Sequence, residues 1–94
     1  MKITQLDIKF IQPDPLQPRK VIVESEVERL SQSLIRYKQL TPIIVYRKDD
    51  LYVLVDGHRR LLAAVRANIP TLDAIVLEQS PSPNDLLAMQ LVIE

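Results

Sequence analysis

The sequence predicts an α+β fold in which a small mixed β-sheet has helices packed on it. Hydrophobic residues make up 47% of the 94 residues, which is enough to form a core in a chain of this size. Stretches with apolar residues at helical spacing alternate with short β-branched runs, and proline or Asp-Gly breaks separate them. We therefore expect a single domain over residues 1–94, with strands and helices interleaved around one core.

The first strand is predicted at residues 5–12, where apolar and polar residues alternate. Its buried face would consist of Leu6, Ile8 and Phe10. Irregular structure is expected from there up to Arg19, because prolines interrupt regular hydrogen bonding. These prolines are Pro13, Pro15 and Pro18.

A first helix is predicted to begin at Ser25. Ser25 and Glu28 have the spacing of a capping box, in which each side chain accepts a hydrogen bond from a backbone amide at the helix start. The helix should end by about residue 40, because Pro42 disfavours helical geometry in the residue before it. Its buried stripe would comprise Val27, Leu30 and Leu34, with Tyr37 as a further candidate.

A β-hairpin is predicted next. Residues 42–47 and 51–55 are β-rich runs on either side of the polar pair Asp49-Asp50, a pattern typical of a hairpin. Asp56-Gly57 then ends the second run.

The remaining sequence predicts a helix, a strand and a last helix. Residues 61–67 are strongly helical, and residues 72–77 are apolar and β-branched. Ser-Pro-Asn-Asp at 82–85 is a favourable helix start. The last helix reaches Glu94 without a Gly or Pro stop, so we expect the sequence to end inside it.

The composition excludes several kinds of site. The chain has no Cys, so disulfides, thiolate metal sites and thiol nucleophiles are excluded. Apolar runs fall short of the roughly 18 residues of a membrane span, and we expect a cytoplasmic protein without membrane partners. Residues 1–48 hold 9 Lys/Arg and 5 Asp/Glu, whereas residues 49–94 hold 3 and 7. Because the net charge is zero, any contact with duplex DNA should lie mainly elsewhere.

The segment Asp56-Gly57-His58-Arg59-Arg60 joins a predicted strand to a predicted helix and contains the only glycine. Glycine can adopt positive φ and lets a ligand approach the backbone. The first turn of a helix offers amides and a partial positive charge that suit an anion. Arg59 and Arg60 would add planar forks that hold phosphate bidentately. The alternative is that both arginines are solvated, or that one pairs with Asp56.

Other positions are weaker candidates. His58 is interpreted as a bystander in the turn, as a hydrogen-bond partner of a phosphate, or as a general base. The proline-stiffened loop at 13–19 would present Arg19 at low entropic cost, and a solvated Arg19 is equally open. Three acidic residues are candidates for binding a metal beside a nucleotide: Glu78, Asp85 and Glu94. For Glu78 and Asp85, a solvated strand end and a solvated helix start are the better explanations.

These segments resemble the N-terminal domain of ParB proteins, within the ParB/sulfiredoxin superfamily, over essentially the whole chain. The strongest motif is Gly57-His58-Arg59-Arg60 followed by Ala63-Ala64, where ParB proteins usually carry Gly-Glu-Arg-Arg. Gln17-Pro18-Arg19 and residues 40–45 (Leu-Thr-Pro-Ile-Ile-Val) match in the same order. The segment ending at Glu94 is similar to the approach to a third motif, Glu-Asn-x-x-Arg.

The resemblance implies a CTP-binding clamp that loads and slides on centromere-like DNA in chromosome or plasmid segregation. Its cofactors would be CTP, or another nucleotide, with Mg²⁺. The residues at the nucleotide phosphates would be Gln17, Arg19, Gly57, His58, Arg59 and Arg60, with Glu94 at the Mg²⁺. The implied whole protein adds a helix-turn-helix DNA-binding domain, forms a homodimer and has a partition ATPase as a further partner.

Three departures from the family pattern affect these expectations. His58 stands where Glu is usual, so hydrolysis and nucleotide identity stay open, with His58 and Glu94 as catalytic candidates. Lys38 and Asn68 stand where Gly is common, so two turns should differ. The rest of the third motif is absent, so we expect this chain to bind nucleotide weakly and to be inactive, and CTPase activity is left open for the full-length protein. Sulfiredoxin chemistry is excluded, because Gly57 replaces its cysteine.

Two other functions are alternatives to a partition module. One is a nucleotide-dependent enzyme on the same fold, either a phosphotransferase or a nuclease-like protein. The sequence offers no paired acidic cluster for a two-metal mechanism. The other is an interaction domain with a degenerate pocket, which the zero net charge and His58 would fit.

Overall fold

The computed structural model describes residues 2–13, 23–39, 41–80 and 82. In chain order the elements of these ranges are β1 (Ile3–Asp7), β2 (Ile11–Pro13), α1 (Glu24–Tyr37), β3 (Ile43–Lys48), β4 (Leu51–Asp56), α2 (His58–Arg66) and β5 (Thr71–Leu77). The predicted last helix, beyond Ser82, lies outside the described residues.

The strands form one mixed sheet in the order β1-β5-β3-β4-β2. β1 is antiparallel to β5, and β3 is antiparallel to β4. The β3–β5 and β2–β4 pairs are parallel. The predicted α+β class, with a small mixed sheet and helices packed on it, is confirmed.

The prediction of one strand over residues 5–12 is wrong. β1 and β2 lie at opposite edges of the sheet, and a 3-10 turn at Ile8–Phe10 joins them. The turn forms because the Lys9 amide donates a hydrogen bond of 3.0 Å to the Asp7 carboxylate, which ends β1. Of the predicted buried face, Ile8 packs against the core, whereas Phe10 is 45% exposed, so the prediction is wrong for Phe10.

Pro13 was expected in irregular structure, but it is the last residue of β2. Among the strands of the described ranges, β2 is an edge strand that pairs with β4 alone. Proline is tolerated at an edge, because the open side of an edge strand has no neighbouring strand to which a backbone amide would have to donate.

The short connection between β1 and β2 shows that the sheet is curled. The four Cα-to-Cα steps from Asp7 to Ile11 can span at most about 14 Å. The edges of a flat five-stranded sheet would lie about 19 Å apart at the usual strand spacing. The two edges must therefore bend toward each other, and Leu6 of β1 and Ile11 of β2 belong to the same core.

The core lies between this curled face and the two helices. Its buried residues are Leu6, Ile11, Val27, Leu34, Ile43, Val45, Leu54, Ala63, Ala64, Leu72 and Ala74. The intervening hairpin residues Ile44, Val53 and Val55 are also buried. Side chains alternate between the two faces of a strand, so both faces of the central hairpin are covered.

α1 begins earlier than predicted. Val23 is the N-cap residue, without a side-chain hydrogen bond, and the amides of Glu26 and Val27 both donate to its carbonyl, at 3.0 and 3.2 Å. The predicted capping box at Ser25 and Glu28 is therefore wrong, because Ser25 already lies inside the helix.

The predicted stripe of α1 is mostly confirmed. Val27 and Leu34 are buried, and Leu30 packs against the core. Ser31 joins them at 2% exposure, whereas Tyr37 is 57% exposed. The suggestion that Tyr37 belongs to the stripe is wrong, because its ring lies instead beside the Arg36 guanidinium at 5.2 Å.

The hairpin of β3 and β4 and the strand β5 confirm the predictions at 42–47, 51–55 and 72–77 to within a residue or so. The Asp49-Asp50 turn joins the hairpin, with Asp49 at φ 57°. Within the described ranges, no helix is both long and apolar enough to cross a bilayer.

Lys38 and Asn68 follow α1 and α2 and have φ values of 63° and 58°. Both therefore keep the positive φ that glycine favours. The expectation that these two turns differ from glycine-containing turns is therefore wrong for the sign of φ. Neighbouring hydrogen bonds hold this geometry. The Lys38 amide donates to the Leu34 carbonyl at 3.0 Å, and the Ile69 amide donates to the Ala64 carbonyl at 2.9 Å.

Candidate functional site

Gly57 is the joint between β4 and α2 and is the N-cap residue of α2, with φ 113° and ψ 26°. A Cβ atom at this position would lie 2.5 Å from Cγ2 of Ile43, which is far inside van der Waals contact. Glycine is therefore required twice, by the left-handed backbone and by the close approach to β3. The predicted positive φ is confirmed, and the neighbour that approaches the backbone is a core side chain.

The first turn of α2 has the features of an anion site. Its first backbone hydrogen bond runs from the Leu61 amide to the Gly57 carbonyl at 2.9 Å, so the amides of Arg59 and Arg60 have no acceptor within the helix. No acidic residue lies in this turn. The partial positive charge of the helix start is therefore offset only by residues outside α2.

Arg60 points back toward the start of β3. Its Nη1 donates to the carbonyl oxygens of Thr41 and Pro42, at 3.1 and 2.7 Å, and its Nη2 lies 3.7 Å from Oδ2 of Asp56. The side chain is only 18% exposed. The alternative in which one arginine pairs with Asp56 thus describes Arg60, whose head holds the Thr41-Pro42 backbone in place.

Arg59 points toward α1. Its Nη1 lies 3.4 Å from Oε2 of Glu26, and the two side chains are 56% and 43% exposed. The two arginine heads are therefore held by different partners. Only Arg59 keeps a guanidinium that is largely accessible from solvent.

The other candidate residues are distributed as follows. His58 is the first residue of α2 and is partly buried. Glu78 is exposed in a bend after β5, which agrees with a solvated strand end. The remaining candidates lie outside the described residues: Gln17, Arg19, Asp85 and Glu94. Among the residues that the structure describes, no group of three or more acidic or His side chains could hold a metal ion.

Gln39 was missed by the sequence analysis. Its Nε2 donates to the carbonyl oxygens of Thr41 and Asp73, at 2.8 Å each, and its Oε1 accepts from the Asp73 amide at 2.6 Å. The Gln39 amide thus extends the β3–β5 pairing, whose backbone register begins at Ile43 and Ala74. No local pattern could have identified this role, because Asp73 lies 34 residues further along the chain.

Gln39 and Arg60 meet at one carbonyl. Both donate to Thr41 O, so the segment before β3 is tied to β5 on one side and to the start of α2 on the other. The position of α2's first turn relative to the sheet therefore depends on these two side chains as well as on Gly57.

The sequence matches the ParB N-terminal domain family over residues 1–92. It is 39% identical over 77 residues to the probable chromosome-partitioning protein ParB of Helicobacter pylori, covering 82% of this chain and 27% of that protein. It is 33% identical over 88 residues to the nucleoid occlusion protein of Shouchella clausii, covering 94% of this chain and 31% of that protein. The chain thus spans about a third or less of these relatives.

Solved structures have the same fold. The C-terminally truncated chromosome-partitioning protein ParB from Caulobacter crescentus, complexed with CTP-gamma-S, aligns with a TM-score of 0.82 and 29% identity, over 98% of this chain and 52% of that chain. Sulfiredoxin from Arabidopsis thaliana aligns with a TM-score of 0.75 and 22% identity, over 97% and 98% of the two chains. Sulfiredoxin thus shares the fold, and the sequence match together with the ParB architecture shows that the chain belongs to the ParB N-terminal domain family.

Proposed function

We propose that the chain binds the phosphates of a nucleoside triphosphate at the first turn of α2, with CTP as the primary nucleotide. The observation that carries the proposal is the left-handed Gly57 joint at which α2 begins. In the first turn after this joint, the backbone amides have no acceptor inside the helix, and the Arg59 side chain lies beside them. A solved relative complexed with a CTP analogue supports the choice of nucleotide.

The described residues suit phosphate better than they suit a metal. Arg59 supplies a fork for phosphate oxygens, and the turn's amides supply the dipole-aligned donors. Mg²⁺ prefers oxygen ligands, most of them carboxylates, phosphates and waters, and the described part of the chain offers no acidic cluster for it. We therefore assign Mg²⁺ to the nucleotide phosphates, with Glu94 as a proposed protein ligand and Gln17 and Arg19 as proposed phosphate partners.

Calorimetric titration of the chain with CTP and with ATP tests the proposal. We expect CTP binding that weakens at least tenfold on Arg59→Ala, since the fork and its charge are lost together. Arg47→Ala is the matched control, because Arg47 lies toward the far end of β3 beside Tyr52. Absence of CTP and ATP binding at millimolar nucleotide, or equal losses in the two variants, contradicts the proposal.

For the whole protein, we propose a cytoplasmic DNA-partition factor in which nucleotide binding gates clamping on DNA. The domain over residues 1–94 would precede a helix-turn-helix DNA-binding domain, and the protein would act as a homodimer with a partition ATPase as partner. The relatives named as chromosome-partitioning proteins support this role. CTP-dependent retention on a closed DNA circle, lost on a linear one, is the expected behaviour of a sliding clamp.

Nucleoid occlusion is a second candidate role. The relative of that name matches more of this chain than the Helicobacter pylori partition protein does. On this proposal both roles would use the nucleotide site at the first turn of α2 and would differ in the DNA that is bound. Genome-wide mapping of the bound DNA separates them: a few clustered sites favour partition, and sites scattered around the chromosome favour occlusion.

A further inference from the structure

We propose that Glu26 competes with the nucleotide phosphate for Arg59 and thereby sets the affinity of the site. The inference rests on the proposed phosphate binding at the first turn of α2. It assigns a function to a residue of α1 that lies in none of the sequence motifs.

The geometry of Glu26 is that of a loosely held carboxylate. Its Oε2 lies 3.4 Å from Nη1 of Arg59, yet this oxygen is buried and has no hydrogen-bond partner among the described residues. A buried carboxylate oxygen without a hydrogen bond is unfavourable. The Glu26 carboxylate is therefore charge-paired with Arg59 but not well bound by it.

Arg59 is the arginine that can change partner. Ion pairs between half-exposed side chains contribute little to stability, so turning Arg59 away from Glu26 is cheap. Arg60 differs, because its head holds two backbone carbonyls and is mostly buried. Arg66 is also engaged, with Glu24 and Glu28.

A phosphate at the turn would attract the Arg59 fork and repel the Glu26 carboxylate. It would gain the amides of α2, which Glu26 does not reach through any described hydrogen bond, and would take up the bidentate geometry that guanidinium favours. The carboxylate thus lowers the affinity of every anion that needs Arg59. A triphosphate, with the larger charge, is repelled by this carboxylate more strongly than a monophosphate is.

The test compares Glu26→Gln with Glu24→Gln in the chain. Both residues lie in the first turn of α1, so both substitutions remove one negative charge and the same helix-dipole contact. Only Glu26 contacts Arg59, whereas Glu24 pairs with Arg66. We expect Glu26→Gln to tighten CTP binding about two- to fivefold and Glu24→Gln to change it by less than about twofold, because its partner Arg66 lies about two turns beyond Arg59 in α2.

The Arg59→Ala background completes the experiment. There Glu26→Gln should tighten CTP binding less than it does in the wild-type background, because the contest for Arg59 is gone and only the direct repulsion between Glu26 and the phosphates is relieved. Thermal melts of all variants check that each is folded. Titrations with CMP in parallel should show a smaller relative gain for CMP than for CTP in Glu26→Gln, because the monophosphate carries less charge for Glu26 to repel.

Several results would overturn the inference. Equal gains in Glu26→Gln and Glu24→Gln would indicate a general charge effect. Weaker CTP binding by Glu26→Gln in the presence of Mg²⁺ would make Glu26 a cation ligand. CTP binding by the wild type that Glu26→Gln does not alter defeats this inference alone, whereas a wild type that binds neither nucleotide defeats the proposed function and this inference with it.

Discussion

Position 57 imposes two requirements that glycine meets and the other amino acids do not. Its φ of 113° is a conformation that L side chains rarely adopt, and Ile43 fills the space where a Cβ would be. A positive φ was predicted for Gly57 because a strand there turns directly into a helix. The contact with Ile43 could not be predicted, since it depends on how β3 lies against the joint.

We predict that Gly57→Ala lowers the free energy of unfolding by about 2–4 kcal/mol, from about 1–2 for the left-handed backbone and the remainder for overpacking against Ile43. Urea denaturation measures the loss. Leu62→Ala, at a residue of α2 that is 42% exposed, is the control and should cost less than about 1 kcal/mol. A loss for Gly57→Ala no larger than that of the control contradicts the packing argument.

Lys38 is the reverse case of Gly57, because a residue with a side chain occupies a backbone conformation that suits glycine. Its φ of 63° and ψ of −171° lie in a region that is essentially restricted to glycine. We predict that Lys38→Gly raises the free energy of unfolding by about 1 kcal/mol, since relief of strain exceeds the added entropy of the unfolded chain.

Asn68→Gly is the comparison for Lys38→Gly. Asn68 has φ 58°, and asparagine tolerates the left-handed region better than lysine does. Its gain in chemical denaturation should therefore be smaller, at a few tenths of a kcal/mol. If Asn68→Gly stabilises the protein more than Lys38→Gly, the strain at Lys38 has been misjudged.

At the level of the elements, local signals predicted what local interactions determine. The β3–β4 hairpin follows from two β-branched runs around Asp49-Asp50, and α2 follows from the Gly57 break and the helical residues after it. The split of residues 5–12 into β1 and β2 was not predictable from alternation. It depends on the Asp7 side chain ending the strand and on pairing with β5 and β4, which come later in the chain.

Gln39 shows how much of the sheet depends on a side chain outside it. We predict that Gln39→Ala lowers the free energy of unfolding by about 1–3 kcal/mol, because the carbonyl and amide of Asp73 lose their partners in a partly buried position. Gln32→Ala is the control: Gln32 is exposed and donates only to Glu28, at 3.2 Å. Its cost should stay within about 0.5 kcal/mol.

Hydrogen exchange of the Asp73 amide gives a second measurement for Gln39. This amide donates to Gln39 at 2.6 Å, so its exchange should accelerate in Gln39→Ala while amides of the β3–β4 hairpin keep their relative protection. Unchanged protection of Asp73 would show that the side-chain bridge is not formed in solution.

At the scale of the whole molecule, the ion pairs between α1 and α2 have the opposite signs to the charge excess of the two halves of the sequence. The N-terminal half carries the basic excess, yet at the helix contact α1 supplies the acids and α2 the arginines. These pairs are Glu26–Arg59, Glu24–Arg66 and Glu28–Arg66. The arginine pair at the first turn of α2 was predictable from sequence, but the division of its two heads between α1 and the β3 start was not, since the partners come from segments 18 to 33 residues earlier.

This division predicts different phenotypes for the two neighbouring arginines. Arg60→Ala should lower the free energy of unfolding by about 1–3 kcal/mol, because the Thr41 and Pro42 carbonyls lose a charged donor. Arg59→Ala should cost less than about 1 kcal/mol, since its pair with Glu26 is half exposed. Urea denaturation without nucleotide measures both losses.

Nucleotide reverses the order of the two effects. Binding to the folded state alone adds about 2.7 kcal/mol of stability at a ligand concentration one hundred times the dissociation constant. Thermal melts at matched CTP concentrations should show this increment for the wild type and its near loss for Arg59→Ala, whose folded state is intact but lacks the accessible fork. Arg60→Ala should retain a larger share of the increment from a lower starting stability, and equal behaviour of the two variants would mean that both heads serve the same partner.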